Sequence, residues 1–299
     1  MKEIVVISGK GGTGKTSITA SFSALAAGDI VAADCDVDAA DMHLLLKPDM
    51  ARVEDFYSGQ TARIDPQACT ACGICAQVCR FGAVKVVGGA YSIDPLGCEG
   101  CGYCARVCPA KAIANHPEKA GVWYSSSTRL GFTMIHAALG IGSENSGKLV
   151  THVKRQAKAA ALAQGKRYVL VDGSPGIGCP VVSSLSGADY VVLVTEPTVS
   201  GLHDLRRVYE LVRKFNIPAG CIINKADINV RMTEAIREFL DAQHIDRLAE
   251  LPYDETVTRA MVAGLTVVEY DNGALAETLR AAWHHVCHRA AADEQRNKS

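Results

Sequence analysis

The chain has 299 residues, of which 48% are hydrophobic, and a formal net charge of −1. That length suits roughly two domains with a sizeable core, and the charge gives no global bias toward nucleic acid or an anionic membrane. No apolar run approaches the roughly 18 residues of a membrane span, and residues 3–8 read as a strand rather than a signal peptide. The expectation is a cytoplasmic protein with neither nucleic acid nor membrane as a partner.

Residues 4–7 are a short apolar run, the pattern of a parallel strand buried on both faces. Directly after it, Gly9-Lys10-Gly11-Gly12-Thr13-Gly14-Lys15-Thr16 fits G-x-x-x-x-G-K-[ST], and a helical pattern begins with Ser17. The glycines let backbone N–H groups turn inward around phosphates, and the helix N-terminus adds positive potential. Lys15 is expected to reach the β/γ-phosphates and the Thr16 hydroxyl to bind Mg²⁺. Lys10 is a second lysine in the loop, which cradling a phosphate does not require. A second apolar run, 30–33, is followed by Asp34-Cys35-Asp36, with Asp38 and Asp41 nearby.

The rhythm then breaks. The chain has twelve cysteines, and eight of them lie between Cys69 and Cys108. Outside an oxidising compartment, such density indicates metal or redox chemistry rather than disulfides. Cys69, Cys72, Cys75 and Cys79 have the spacing C-x2-C-x2-C-x3-C, and Cys98, Cys101, Cys104 and Cys108 repeat it. Ile64-Asp65-Pro66 precedes the first run and Ile93-Asp94-Pro95 the second, so the segment is a duplicated unit. This is the bacterial two-cluster ferredoxin pattern, in which the fourth cysteine of each run ligates the other cluster. One 4Fe–4S cluster is expected on Cys69, Cys72, Cys75 and Cys108, and the other on Cys98, Cys101, Cys104 and Cys79. Arg80 stands where the first run would usually have proline. Two dense runs suit iron–sulfur better than zinc.

Apolar runs resume at 168–171, 190–194 and 221–223. The first ends at Asp172, before Gly173-Ser174-Pro175-Gly176, and the last at Asn224-Lys225. Leu205, Val208, Val212 and Phe215 share one helical face, with Ser200 as the candidate N-cap. Met232, Ile236, Phe239 and Leu240 share another, and Pro252-Tyr253-Asp254 marks a turn. Leu275, Leu279, Trp283 and Val286 align on a last helix, expected to pack on the core, and residues 293–299 are expected to be disordered. Strand–helix alternation predicts an α/β fold, a doubly wound and mostly parallel sheet. Its expected parts are 1–59 and 119–299, with an inserted α+β ferredoxin-like domain at 60–118.

Residues 10–16 resemble the deviant Walker A motif of the MinD/ParA and nitrogenase iron protein families. Residues 142–148, 172–180 and 195–198 look like the same group, and the whole pattern resembles MinD-superfamily ATPases with an inserted ferredoxin. The resemblance implies a slow, partner-stimulated P-loop ATPase that binds ATP/ADP and Mg²⁺ and forms a homodimer with ATP. It makes Lys10, Lys15 and Asp36 catalytic. Lys10 would reach the partner's nucleotide in trans, and Asp36 would position water. Asp172 would support the Mg²⁺ shell, and Asn224 and Pro252 would lie on the adenine side. Cys179 is either a transient metal or sulfur contact or a small packed thiol. The implied task is to couple ATP to electron transfer or metallocluster maturation on a partner protein. A cluster carrier or scaffold and a ParA/MinD-like positioning ATPase are the alternatives. Because the insert follows soon after Asp34 and Asp36, which resemble the first switch of these families, nucleotide is also expected to change the potential or exposure of a cluster.

Overall fold

A computed structural model describes residues 1–140 and 145–292. Residues 142–144 of the resembling stretch 142–148 and the tail 293–299 lie outside those residues. In chain order the elements are β1 (Lys2–Ser8), α1 (Lys15–Leu25), β2 (Ile30–Asp34), α2 (Met42–Leu46), β3 (Arg52–Ile64), α3 (Ile74–Val78), β4 (Val84–Val87), β5 (Ala90–Ile93), α4 (Tyr103–Val107) and β6 (Ile113–Ser127). They continue with β7 (Thr133–Leu139), α5 (Ser146–Ala163), β8 (Tyr168–Asp172), α6 (Cys179–Leu185), β9 (Tyr190–Thr195), α7 (Val199–Lys214) and β10 (Ala219–Asn224). The chain ends on α8 (Val230–Ala242), β11 (Asp246–Leu251), α9 (Glu255–Ala263), α10 (Val267–Tyr270) and α11 (Ala274–Ala292).

Nine strands form one sheet in the order β11-β10-β9-β1-β8-β2-β7-β6-β3. Every pairing from β11 to β7 is parallel. This is the expected α/β architecture, a mostly parallel sheet with flanking helices. The five predicted strands fall inside β1, β2, β8, β9 and β10, where nearly every residue is buried because helices cover both faces. Five chain segments therefore leave the carboxyl ends of neighbouring parallel strands together, which is where such sheets bind ligands.

The chain divides into two compact units, 1–54 with 123–138 and 146–299, and 55–122 with 139–145. The division falls inside two long strands, β3 and β6. In the larger unit, Leu275, Leu279, Trp283 and Val286 are buried, and the Trp283 ring lies 5.2 Å from Phe22. The last helix is a core helix. His284 and His288 are exposed on its other side. The N-cap of α7 is Thr198, whose hydroxyl accepts from the Gly201 N–H at 2.9 Å, and not Ser200. Thr198 keeps the extended backbone a cap needs, whereas Ser200 is already within the first turn. Phe215 falls at the C-cap and is 37% exposed, off the buried stripe of Leu205, Val208 and Val212.

The smaller unit shows the duplication in its backbone. α3 and α4 have equal length, and each starts after a glycine with positive φ, Gly73 and Gly102. β4 and β5 pair antiparallel around Gly88 and Gly89, both with positive φ. A two-residue hairpin loop needs that geometry at both positions, and glycine adopts it freely. Ala62, Cys75 and Ile113 centre a small core. Among the described residues, no helix is long and apolar enough to cross a membrane.

Candidate functional site

The segment between β1 and α1 borders a large cleft. Gly11, Gly12, Thr13, Gly14, Lys15, Thr16 and Ser17 line it, joined by Asp36, Asp38 and Asp41 after β2 and by Ser174, Pro175 and Gly178 after β8. Asn224 and Lys225 after β10 and Pro252, Tyr253 and Asp254 after β11 complete the rim. Gly14 caps α1 with φ of 87°, and a Cβ there would lie 2.5 Å from the Asn224 amide. That amide donates to the Thr13 carbonyl at 2.8 Å, which ties the loop to the turn after β10. Among the described residues, the Thr13 hydroxyl is one of the few buried side-chain atoms without a hydrogen-bond partner. A polar group left unpaired in a glycine-rich loop suits a phosphate ligand.

Lys15 lies at the floor. Its ammonium donates to Asp172 at 2.7 Å and lies 3.7 Å from Asp36. Burial works against the Lys15 charge, but Asp172, with Asp36 and Asp34, outweighs it and holds the ammonium above its usual pKa. The other Asp172 oxygen accepts from the Thr16 hydroxyl at 2.7 Å, and Thr19 donates to the first at 3.0 Å. A hydroxyl beside a carboxylate is the hard-oxygen pair that Mg²⁺ takes. Asp172 and Gly9 are not among the cleft-lining residues. Asp172 acts from behind Lys15 and Thr16, and a Cβ at Gly9 would meet the Asp204 backbone at 2.5 Å.

Asp34 is fully buried and binds both ends of the acidic turn, accepting from the N–H of Asp36 at 3.1 Å and of Met42 at 3.3 Å. Burial, and then Asp172, push its carboxyl well above the usual range. Burial also raises Asp36, to about 6, with Asp172, Asp38 and Asp41 adding to burial and Lys15 opposing it. An acid raised above its unfolded value near 4 holds its proton more tightly when folded. The stability it contributes is therefore present below about pH 4 and lost as pH rises through about 6. Asp36→Asn is expected to remove that loss. In nucleotide-free melting curves, the variant should gain on the parent protein between pH 4 and 6 and hold a constant lead above. A difference that does not change with pH would refute the assignment.

Lys10 is turned to its own chain, with its ammonium 3.3 Å from Glu196 and 3.4 Å from the Thr198 hydroxyl. Lys225 shares Glu196. The sequence marks Glu196 only within the family-like stretch 195–198 and Lys225 only beside Asn224 in a loop resembling the family's adenine side, and only the turns after β9 and β10 bring them to Lys10. Leu44, Leu45, Val257, Thr258 and Met261 are further cleft residues with no sequence signal, and Ser17 donates to the Met261 sulfur at 3.7 Å.

The cysteine runs frame two further cavities, both within the smaller unit. One is lined by Cys69, Cys72, Cys75 and Cys108. The other is lined by Cys79, Cys98, Cys101 and Cys104. The fourth cysteine of each run thus lines the cavity of the other run. The Ala71 N–H donates to the Cys69 sulfur at 3.4 Å and the Ala112 N–H to the Cys108 sulfur at 3.3 Å. Burial pushes the Cys79 thiol up, but backbone N–H groups of residues 81–84 outweigh it and lower the pKa. Among the described residues, no three His, Cys, Asp or Glu side chains converge on a single-ion position. Each cavity is bordered by four thiols. Cys179 is exposed at the first residue of α6 and is not a packed thiol.

A phosphate-loop cleft at the carboxyl edge of a mostly parallel sheet defines a P-loop nucleotide-binding protein. Residues 4–267 match the family described as the CobQ/CobB/MinD/ParA nucleotide binding domain. The chain belongs to this family, the MinD/ParA class of P-loop ATPases. It is 35% identical over 229 residues to an uncharacterized protein of Methanocaldococcus jannaschii, MJ0578, covering 76% of this chain and 79% of that one. A second protein of that organism, MJ0579, is 26% identical over 282 residues, covering 91% and 93%. Among solved structures, the cell division ATPase MinD of Pyrococcus furiosus superposes with a TM-score of 0.56 at 18% identity, covering 95% of this chain and 98% of that one. A chain of the MinC:MinD cell division protein complex of Aquifex aeolicus gives 0.59 at 17%, covering 96% of each.

Proposed function

We propose that the chain is a MinD/ParA-type ATPase that forms a homodimer with ATP. The observation that carries this reading is one cleft in which the P-loop meets Asp36, Asn224 and Pro252 above the buried Lys15–Asp172–Thr16 group. Lys15 would leave Asp172 for the β/γ-phosphates, and Thr16 and Asp172 would hold the Mg²⁺ shell. Asp36, a carboxylate above about pH 6, would orient the attacking water. Asn224 and Pro252 border the end of the cleft that would take the base. Lys10, in the deviant position, would neutralise the phosphoryl group on the partner chain. The similar structures include MinD of Pyrococcus horikoshii with Mg-ADP (TM-score 0.57, 20% identity, 95% of each chain). Such neighbours favour a positioning ATPase over a dedicated electron carrier.

The two cysteine cavities favour a second reading, in which the inserted unit holds two 4Fe–4S clusters. Cys69, Cys72, Cys75 and Cys108 would hold one, and Cys79, Cys98, Cys101 and Cys104 the other. A bound cluster supplies one-electron transfer. The Ala71 and Ala112 N–H groups would temper the sulfur charge. ATP would then be coupled to electron delivery, cluster maturation or cluster transfer on a partner protein.

Lys10→Ala tests the first reading. The variant is expected to bind ADP as the parent does, to remain a monomer with ATP, and to lose at least about a thousandfold in hydrolysis, the lower side of what a charge supplied in trans contributes. Calorimetry, light scattering and phosphate release measure the three. Hydrolysis and dimerisation at parent levels would remove the case for a lysine acting in trans.

A further inference from the structure

We infer that Glu196 is a positioning residue for Lys10, retaining the P-loop lysine on its own chain and setting how readily it is released to a partner. The inference rests on the reading of Lys10 as a lysine that acts in trans. Glu196 stands just after β9 and is 9% exposed. One of its oxygens lies 3.3 Å from the Lys10 ammonium, while the other takes the Lys225 ammonium. The Thr198 hydroxyl, also the α7 cap, lies 3.4 Å from the same Lys10 nitrogen. Lys225 is fixed in turn. Its φ is 55°, and its N–H donates to Asn224 Oδ1 at 3.0 Å, while Asn224 holds the Thr13 carbonyl. One carboxylate therefore anchors lysines from two separate segments that reach the nucleotide cleft.

An ammonium held by Glu196 must leave it to reach a phosphate on another chain. The two arrangements compete for one cation, and the free energy of the ion pair is subtracted from that of the dimer. The Lys10 side chain is 30% exposed and that of Glu196 11%, so the pair is only partly screened. Pairs of this exposure contribute up to about fivefold in an equilibrium. A dimer breaks two of them, one per chain, and the effect on the dimer constant is the square, up to about twenty-five-fold. Lys225 offsets part of this by keeping Glu196 partly neutralised, so the release of Lys10 also follows what Lys225 does when the cleft fills.

The test uses the full chain with a saturating non-hydrolysable ATP analogue and Mg²⁺. Sedimentation measures the dimer constant for the parent, Glu196→Gln, Lys10→Ala and the double variant. Glu196→Gln is expected to dimerise about four- to twenty-five-fold more tightly, and the double variant to match Lys10→Ala. ADP titrations at monomeric concentrations measure separately any effect that runs through Lys225. A Glu196→Gln dimer constant at or below the parent's overturns the inference, and if Lys10→Ala is still monomeric the trans reading stands. Lys10→Ala dimerising like the parent removes both. A Glu196→Gln gain that persists without Lys10 also overturns it, because Glu196 would then act through another group. Glu196→Asp, which keeps the charge but shortens the reach, is expected to shift the constant the same way by less. It decides the matter should the glutamine variant melt early.

Discussion

Lys15→Ala is expected to lower affinity for ATP and ADP by on the order of a hundredfold or more, the loss of a charge-assisted contact to a phosphate. The same change acts on the fold. Lys15 is the cation among Asp172, Asp36 and the fully buried Asp34. Removing one partner of a buried pair costs roughly 3–5 kcal/mol when the other charge remains. Here the carboxyls can take up protons, so the penalty should grow as pH rises from 5 to 8. Calorimetric titration measures the affinity, and melting curves across that range measure the stability. Lys15→Arg separates the two, because it keeps the charge beside Asp172 while placing a wider head in the loop. Its melting point should stay near the parent's while its affinity falls. Parent affinity in Lys15→Ala would exclude the phosphate role.

Cys108→Ser is expected to cost the anaerobically purified protein half of its iron. Two 4Fe–4S clusters give about eight irons per chain, and the variant should hold about four. The cavity shared by Cys69, Cys72, Cys75 and Cys108 makes the expectation sharper, because Cys108→Ser should match Cys72→Ser and differ from Cys101→Ser. Iron content and the paramagnetic resonance of the reduced protein report both. Zinc in place of iron would refute the cluster reading. A Cys108→Ser spectrum that matches Cys101→Ser would refute the crossed assignment.

The parallel strands were legible because burial on both faces leaves an unbroken apolar run, as in residues 4–7 and 190–194. β3, β6, β7 and β11 were not, since burial there is partial or interrupted. β3 is mostly exposed, β11 buries only Leu248 and Leu251 at the sheet edge, and β7 carries the buried polar His136. The N-cap of α7 was misplaced by two residues because Thr198 and Ser200 offer the same hydroxyl chemistry, and only the backbone angle separates them. In the cleft, the motif spacing singles out the loop residues, and the family resemblance adds Asp36 and Asn224 as expectations. Lys10's own partner was not readable, because Glu196 is brought to it by sheet order. The raised pKa of Asp36 was equally hidden, as it comes first from burial and then from Asp172, which is far away in sequence.

The exchange of the fourth cysteine between the two runs also dictates a sequence of events during synthesis. The chain emerges from residue 1 onward, and when Cys79 appears only three cysteines of one cavity and one of the other exist. Neither cavity has its four thiols until Cys104 is made, and the cavity that begins with Cys69 waits for Cys108. The half of the duplication translated first is therefore the last to be completed. A nascent chain interrupted between residues 80 and 103 presents loose thiols and no finished site.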